Sequence, residues 1–390
     1  MNNSIIFANN IIELFFKFRS VNMKYVGGVT GALCAYFFLK QGIDCVLIEN
    51  NLIGQSSTSI CTSILEYEID IDLINLSDQI GEDSAITAFK LGRDAVFKIE
   101  QIIKEYNIDC DFKITPCFYY SISKDDISQF ISEYKDRKRS GFDISYLNKE
   151  EGESLYPFNI ECGLLTENAA ATFNPYDFTI GLLDALATKG LQIFENTRLI
   201  KTINTSNGVV LETSTGYSIT TNKILNCTGY AANKIFKENI STLTRTFNIA
   251  TSPIPISGDL WHKNSIIIDN STPYYYCRTT EDNRIILGGE DIPCLDYNKI
   301  NEAYAQLKGK LTKLFPNIDN YAIDFKYNGI FADSKNSIPY IGTHKDFPNH
   351  YFCLGYGSNG VLYSIFGGEM LANLHLGKKD PNMNIFRFNR

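Results

Sequence analysis

Gly27-Gly28-Val29-Thr30-Gly31 opens the stretch that decides the fold. Behind it run Ala32-Leu33-Cys34-Ala35-Tyr36-Phe37-Phe38-Leu39, then Gly42, then Cys45-Val46-Leu47-Ile48-Glu49. The apolar run after Gly31 reads as a helix whose small residues permit close packing on a sheet. Gly42 ends it, and Cys45 to Ile48 reads as a short buried strand. Glycine turn, helix, strand and acid make half of a doubly wound nucleotide-binding unit. The glycines let the backbone turn tightly and approach a pyrophosphate, the helix N-terminus faces the phosphates, and the acid holds ribose hydroxyls. Gly28 and Gly31 take the second and third positions of G-x-G-x-x-G and Glu49 follows at close to the usual distance, but Val26 stands at the first position. The strand expected in front, Ser20-Val21-Asn22-Met23-Lys24-Tyr25, is largely polar.

Outward from this unit, a polar loop (Gly54 to Thr62) precedes an expected helix, and residues 82–106 carry helical periodicity through Ile86, Phe89, Ala95, Ile99, Ile102 and Ile103. Phe118 to Ile122 reads as a strand, and a helix runs from Asp125 to Gly141. Leu164 to Phe173 reads as loop or strand, and Asn174-Pro175 opens a helix through Ala187. Gln192 to Glu195 resumes the strand rhythm, and residues 208–228 read as a hairpin leading into the buried strand Lys223 to Cys227. Residues 245–330, rich in β-branched and aromatic side chains, predict an antiparallel sheet carrying one helix from about Asn298 to Leu314. Tyr351 to Leu354 returns to a buried strand, and 361–376 form the last helix. No internal repeat is present.

Composition narrows the partners. The chain has 390 residues, enough for two domains. A net charge of −8 with no basic stripe argues against a nucleic-acid partner. The one basic cluster, Lys135 to Arg139, reads as a solvated helix face. The ten cysteines are scattered and include no Cys-x-x-Cys pair, and only four histidines are present, so a reducing cytoplasm is expected and structural zinc is not. Residues 4–16 are apolar but interrupted by Asn9, Asn10 and Glu13, with no basic segment before them and no small-residue cleavage site after. Neither a signal peptide nor a membrane span is expected.

The motifs together resemble the D-amino-acid oxidase and glycine oxidase superfamily of FAD-dependent oxidoreductases, most closely its γ-glutamylputrescine oxidase-like branch. The likeness rests on Gly27 to Leu33, Val46 to Glu49, and Gly54-Gln55-Ser56-Ser57-Thr58. It continues through Asn226-Cys227-Thr228-Gly229, Tyr276-Cys277-Arg278-Thr279-Thr280, Arg284 to Gly289, Ser337 to Gly342, and Gly355-Tyr356-Gly357-Ser358-Asn359-Gly360-Val361, covering roughly residues 23–376. The resemblance implies an α/β fold: a discontinuous Rossmann-like FAD-binding domain (20–85, 150–235 and 333–390) with an inserted, mostly antiparallel α+β substrate domain (86–149 and 236–332). Residues 1–19 are left as an extension, and Arg19 to Val26 is expected to replace the family's first strand. The implied cofactor-binding residues are Gly28, Val29, Thr30, Gly31, Glu49, Asn50, Ser56, Ser57, Thr58, Leu199, Cys227, Thr228, Gly229, Gly342, Gly357, Ser358, Asn359, Gly360 and Val361.

Two departures from the family pattern bear on function. Classical amino-acid oxidases place an arginine before the x-x-Pro-x-Ile-Gly motif to clamp the substrate carboxylate in a bidentate pair. The matching position here is Phe331, which favours an amine or N-substituted amine over a plain D-amino acid. Relatives that tether FAD use a histidine just after the Ser-Thr pair or a cysteine near the position of Gly329. Here Ile60 follows Ser57-Thr58-Ser59 and Gly329 has no thiol, so dissociable FAD is expected. Candidate substrate contacts are Glu68, Tyr276, Arg278, Phe331 and Tyr356, with Glu66 read as the solvated start of a helix. The helix entered at Tyr356 to Asn359 would stabilise negative charge on the flavin. No histidine has a ligand-spaced neighbour, and no catalytic acid or base is assigned. The implied reaction is oxidation of a C–N bond of an amine or amino acid by hydride transfer to flavin N5, with oxygen or another acceptor reoxidising the cofactor. A non-catalytic or degenerate relative, and a 2-hydroxy-acid dehydrogenase on the same fold, are the alternative readings.

Overall fold

The computed structural model describes residues 4–8 (backbone only), 27–68, 70–206, 208–214, 216–318 and 321–390. Two strands, β1 (Ser4–Ala8) and β2 (Asp44–Ile48), flank helix α1 (Val29–Lys40) in sequence. β3 (Ile64–Glu66), α2 (Leu73–Ile80), α3 (Glu82–Tyr106), β4 (Lys113–Ser121), α4 (Ile127–Arg139), β5 (Ser145–Asn148), α5 (Lys149–Leu155) and β6 (Cys162–Thr172) follow. Next come α6 (Pro175–Thr188), β7 (Gln192–Phe194), the meander β8 (Leu199–Thr205), β9 (Gly208–Thr213) and β10 (Ser218–Thr221), and β11 (Lys223–Asn226). The remainder is β12 (Ser241–Thr251), β13 (Ile266–Asp269), β14 (Tyr275–Thr279), β15 (Ile285–Pro293), α7 (Ile300–Leu314), β16 (Ile323–Ser334), β17 (Tyr340–His344), β18 (Phe347–Leu354) and α8 (Gly360–His375).

Among the described residues these strands form two large sheets and the small β10-β9-β8 meander. The first sheet has the order β17-β18-β11-β1-β2-β7, parallel except where β17 meets β18. The second has the order β16-β12-β15-β14-β13-β4-β6-β3, with β5 added beside β6, and is antiparallel apart from the β13–β4 pair. β2 is buried along four of its five residues, as a parallel strand covered on both faces must be. α1 is apolar all round and buried from Thr30 to Phe38, because the sheet lies on one side and α8 on the other. The contact with α8 is a close one: a Cβ at Gly368 would stand 3.2 Å from the Cα of Cys34. α6 begins where its sequence says it should, with Asn174 Oδ1 accepting from the N–H groups of Tyr176 and Asp177 and Pro175 in the first turn.

The structure redraws three boundaries. The sequence sets residues 1–19 apart and puts the first strand at Arg19 to Val26. Instead Ser4–Ala8 occupies the centre of the parallel sheet, with Ile6 opposite both Val46 and Ile224, while residues 9–26 lie outside the described residues. β3 and β6, taken by sequence as parts of the nucleotide domain, pair in the large antiparallel sheet. α3, assigned by sequence mostly to the substrate domain, buries Ala88, Phe89, Ala95, Val96, Ile99 and Ile102 in the core that holds α1 and α8. Where the polar loop is expected to run into a helix, the strand β3 comes first, and α2 begins only at Leu73.

Deleting residues 2–8 leaves the facing edges of β2 and β11 without their common partner. The truncated chain is expected to be insoluble or unable to retain a nucleotide, whereas substitutions in Lys135 or Lys138, exposed on α4, leave solubility unchanged; soluble expression yield and gel filtration make the comparison.

Candidate active site

The two sheets enclose a cavity of about 740 Å³. One end is built by the glycine turn. Glu49, at the end of β2, accepts the Gly27 N–H on Oε2 and the Asn51 N–H on Oε1, both at 2.8 Å. Burial raises its pKa above the ordinary carboxylate value, and these backbone donors offset only part of the rise. The approach admits no side chain: a Cβ on Gly27 would meet Ile53 at 2.9 Å and Glu49 at 3.0 Å. Thr58 Oγ1 accepts the Val29 N–H at 3.1 Å, so the loop Ser56–Thr58 is fastened to the start of α1. That helix has no acid in its first turn and no side-chain cap, leaving its positive end to an anion. Asn50 Oδ1 and Thr228 Oγ1, on cavity-lining residues, are buried and have no hydrogen-bond partner among the described residues. A helix start without a first-turn acid, a fastened loop, an acid and unpaired acceptors together fit a dinucleotide.

The same wall continues onto α8, another helix with no acid in its first turn. Gly357, Ser358, Asn359, Gly360 and Val361 line the cavity. Asp70 accepts from the Ser358 N–H at 3.1 Å and from its hydroxyl at 2.5 Å, and Asn359 Nδ2 donates to the Glu68 carbonyl at 3.0 Å. Gly357 has φ +57, and a Cβ there would lie 2.7 Å from Asp70 Oδ2, so glycine is required on both counts.

The other end is acidic. Glu66, Glu68, Asp70 and Asp72 line it, all within one short segment. Arg137 reaches in from α4, where it is 1% exposed, and forms ion pairs with Glu68 and, at 2.6 Å, with Glu133. Burial opposes its charge, but the two carboxylates outweigh burial and hold its pKa well above the ordinary arginine value. Glu133 also accepts the Leu73 N–H at 2.7 Å and the Ile74 N–H at 3.2 Å, closing the start of α2 from a neighbouring helix. Glu66 is buried and accepts the Glu68 N–H at 3.1 Å; burial, with the charges of Glu68 and Asp70, raises its pKa well above the carboxylate range. Tyr274, Tyr276, Thr246 and Asn248 complete the wall from the large sheet, and the Asn248 amide nitrogen is buried with no partner among the described residues.

Of the residues expected from sequence, Gly28, Val29, Thr30, Glu49, Asn50, Ser56, Ser57, Thr58, Cys227, Thr228, Gly229, the five at the start of α8, Glu68, Tyr276, Phe331 and Tyr356 all line this cavity. Gly31 is buried inside α1, Leu199 pairs with Thr213 at the start of β8, and Gly342 pairs with Phe352 in β17; none of the three lines it. Arg278 does not line it either: Nε donates to the Thr62 carbonyl at 2.5 Å and Nη1 to the Thr279 carbonyl at 3.0 Å, so the guanidinium braces the loop before β3. Tyr356 presents only its ring, because its hydroxyl donates to the Cys353 carbonyl. Two further expectations reverse. Glu66 is no solvated helix start, and the Lys135 to Arg139 cluster is not wholly a solvent face, since Arg137 points inward. Sequence reasoning does not single out Arg137, Glu133, Asp70, Thr246 or Asn248; Glu133 and Arg137 show the helical i, i+4 spacing, but that spacing is equally common on surfaces.

Residues 27–374 match the family described as DAO, FAD dependent oxidoreductase. The chain belongs to that family. It is 24% identical to the γ-glutamylputrescine oxidoreductase of Escherichia coli, covering 90% of this chain and 82% of that one. It is 20% identical to the glycine oxidase of Bacillus subtilis, covering 93% and 95% respectively. The L-proline dehydrogenase of P. horikoshii superposes with a TM-score of 0.80 at 19% identity, covering 100% of this chain and 97% of that one. The protein is accordingly an FAD-dependent oxidoreductase of the DAO family with a mixed α/β fold. Among the described residues no helix is long and apolar enough to cross a membrane.

Two substitutions test the ends of the cavity separately. Glu49→Gln removes one charged acceptor from a backbone N–H, an interaction worth about 1.5–3 kcal/mol, and is expected to weaken FAD binding roughly 10–100-fold in a fluorescence titration. Arg137→Ala strands two buried carboxylates and is expected to cost about 3–5 kcal/mol in denaturant unfolding.

Proposed function

We propose that this flavoenzyme oxidises the C–N bond of an amine that carries no carboxylate next to the reacting carbon, using dissociable FAD. The observation that carries the reading is the charge of the substrate end. Phe331 lines the cavity at the position where an arginine would clamp a carboxylate, and the guanidinium that does reach in, Arg137, is already shared between Glu68 and Glu133. Asp70 and Asp72 remain beside it. A substrate carboxylate would meet like charge in a half-enclosed space, and an ammonium would be attracted, more strongly than in water. A 2-hydroxy acid is disfavoured on the same ground.

Gly28, Val29 and Thr30 would hold the pyrophosphate, Glu49 the ribose, and the start of α8 the flavin edge. Bound there, FAD supplies a hydride acceptor that no side chain can provide. The protein's part is to orient the substrate: the acids fix the nitrogen, while Phe331 and the Tyr356 ring offer apolar surface to the rest of the molecule. Two features support non-covalent attachment. Ile60, beside Gly329, offers no nucleophile, and burial raises the pKa of the nearby Cys61 thiol, which suppresses its thiolate.

Purified protein is expected to be yellow and to release its flavin on acid precipitation. Anaerobic titration with primary amines, N-substituted amines, α-amino acids and 2-hydroxy acids should bleach the flavin with amines at concentrations roughly tenfold or more below those needed for the carboxylate-bearing compounds, about the effect of one like-charge contact at partial burial. Preferential bleaching by a hydroxy acid or an α-amino acid overturns the proposal. Colourless protein that cannot be reconstituted overturns catalysis altogether.

A further inference from the structure

The large antiparallel sheet offers the cavity a polar stripe. Along β12 successive side chains alternate between the two faces. Phe247 and Ile249 turn into the core under α7, with Ala303, Leu307 and Leu311, while Thr246 and Asn248 line the cavity. Asn248 is 1% exposed, a depth at which an amide side chain is ordinarily paired at both ends. Here only one end is paired. The Tyr276 hydroxyl donates to Asn248 Oδ1 at 3.1 Å, and Thr246 Oγ1 lies 2.9 Å from the same hydroxyl. With the tyrosine proton directed at the amide oxygen, Thr246 is the donor in that second bond. The three side chains form a directed chain, Thr246 to Tyr276 to Asn248, which fixes the way the amide faces. Its nitrogen, on the opposite branch, is buried without a hydrogen-bond partner among the described residues.

The sheet is built to hold this arrangement. Asn248, Gly288 and Tyr276 stand in register on the adjacent strands β12, β15 and β14. A Cβ at Gly288 would collide with both Asn248 Oδ1 and the Tyr276 ring. The bare position between them lets the hydroxyl cross the middle strand to the amide.

We propose that Asn248 Nδ2 recognises a neutral oxygen on the substrate, an amide carbonyl or a hydroxyl, and so selects amines that carry one. The inference rests on the amine reading above and narrows it. The residues that fit the dinucleotide come from the parallel sheet, α1, α8 and the loops beside them, and none comes from the sheet that holds Asn248. The free donor therefore belongs to the substrate's share of the cavity. A carboxylate would satisfy the amide as well as a neutral oxygen does, but Glu68, Asp70 and Asp72 on the same cavity turn it away by like charge. A plain alkylamine is attracted by those acids yet leaves the buried N–H groups unpaired, which is the cost that separates it from an amine bearing an oxygen.

The test is anaerobic flavin reduction by matched sets of amines in wild type, Asn248→Ala, Asn248→Asp and Tyr276→Phe. The sets are alkylamines of graded length, their ω-hydroxy and ω-acetamido derivatives, and the ω-amino acids of the same lengths. The readout is the ratio of the concentrations that half-reduce the flavin with the plain amine and with its oxygen-bearing counterpart. In wild type the best oxygen-bearing amine should be favoured roughly tenfold or more, the effect of one hydrogen bond to a buried donor. Asn248→Ala should bring the ratio close to one. Asn248→Asp, which replaces the donor by an acceptor, should invert it, and Tyr276→Phe, which frees the amide to turn, should leave it in between. Independently of turnover, N-methylacetamide should perturb the absorbance of the bound flavin and compete with the amine in wild type, and do neither in Asn248→Ala.

A wild-type ratio near one overturns the proposal, and because it needs no variant it decides even where a substitution prevents folding. Preference for the ω-amino acids over the neutral oxygen-bearing amines overturns it too. An Asn248→Ala protein that binds FAD more weakly in a fluorescence titration while keeping the wild-type ratio assigns the amide to the cofactor, with the same result. Reduction by α-amino acids in preference to every amine overturns the amine reading instead; the ratio for amino acids with and without a side-chain amide then still decides for or against Asn248.

Discussion

The hydrogen bond from the Gly27 N–H to Glu49 is the constraint on which the nucleotide end of the molecule depends. It joins the entry of α1 to the end of β2 at 2.8 Å, an approach that any side chain at residue 27 would obstruct. Beyond that joint the start of α1 lines the cavity, and the Val29 N–H meets Thr58. Thr58 in turn fixes the loop that leads through Arg278's contact with Thr62 into β3, and so to Glu66, Glu68 and Asp70. Nucleotide end and substrate end are therefore consecutive parts of one chain segment, held at one place by Glu49 and at another by Arg278.

α8 ties that segment to the far end of the sequence. Its close fit against α1 is set by Gly368 lying over Cys34, and its N-terminus is held by Asp70 and by the backbone of Glu68. A displacement of the acidic segment would pull on Ser358 and Asn359, which line the cavity and are proposed to face the flavin. The acidic segment and the start of α8 are thus joined through three hydrogen bonds and a close glycine.

Much of this architecture is legible in the amino-acid sequence. The glycine turn, α1, β2, α3, α6, the hairpin β9–β10 and α8 carry strong local signals: apolar periodicity, an Asn-Pro start, glycines at the ends. The misreadings share a physical cause, which is that they depend on partners remote in sequence. Ser4–Ala8 joins β2 and β11 across residues 9–26, so nothing adjacent to the glycines marks it as the first strand. Arg137 looks like its solvated neighbours Lys135 and Lys138 until Glu68 arrives from another segment to meet it. Arg278 and Tyr356 carry polar tips that suit a substrate, yet both are spent on backbone carbonyls. The alignment of Asn248 and Tyr276 on either side of Gly288 is a property of strand register, and register is not written in any one strand alone.

The cavity that results has opposite electrical character at its two ends. At one, the start of α1, with no acid in its first turn, presents positive potential suited to phosphates, while the start of α8 is already held by Asp70. At the other, four carboxylates line the wall beside a single buried guanidinium, which pairs with Glu68 alone among them and with a further acid, Glu133, outside the lining. Carboxylates crowded in this way resolve their repulsion either by binding a cation or by taking up protons, and burial with the neighbouring charges of Glu68 and Asp70 accordingly raises the pKa of Glu66. On the reading proposed above, an ammonium substrate would enter as the missing cation beside Glu68, Asp70 and Asp72.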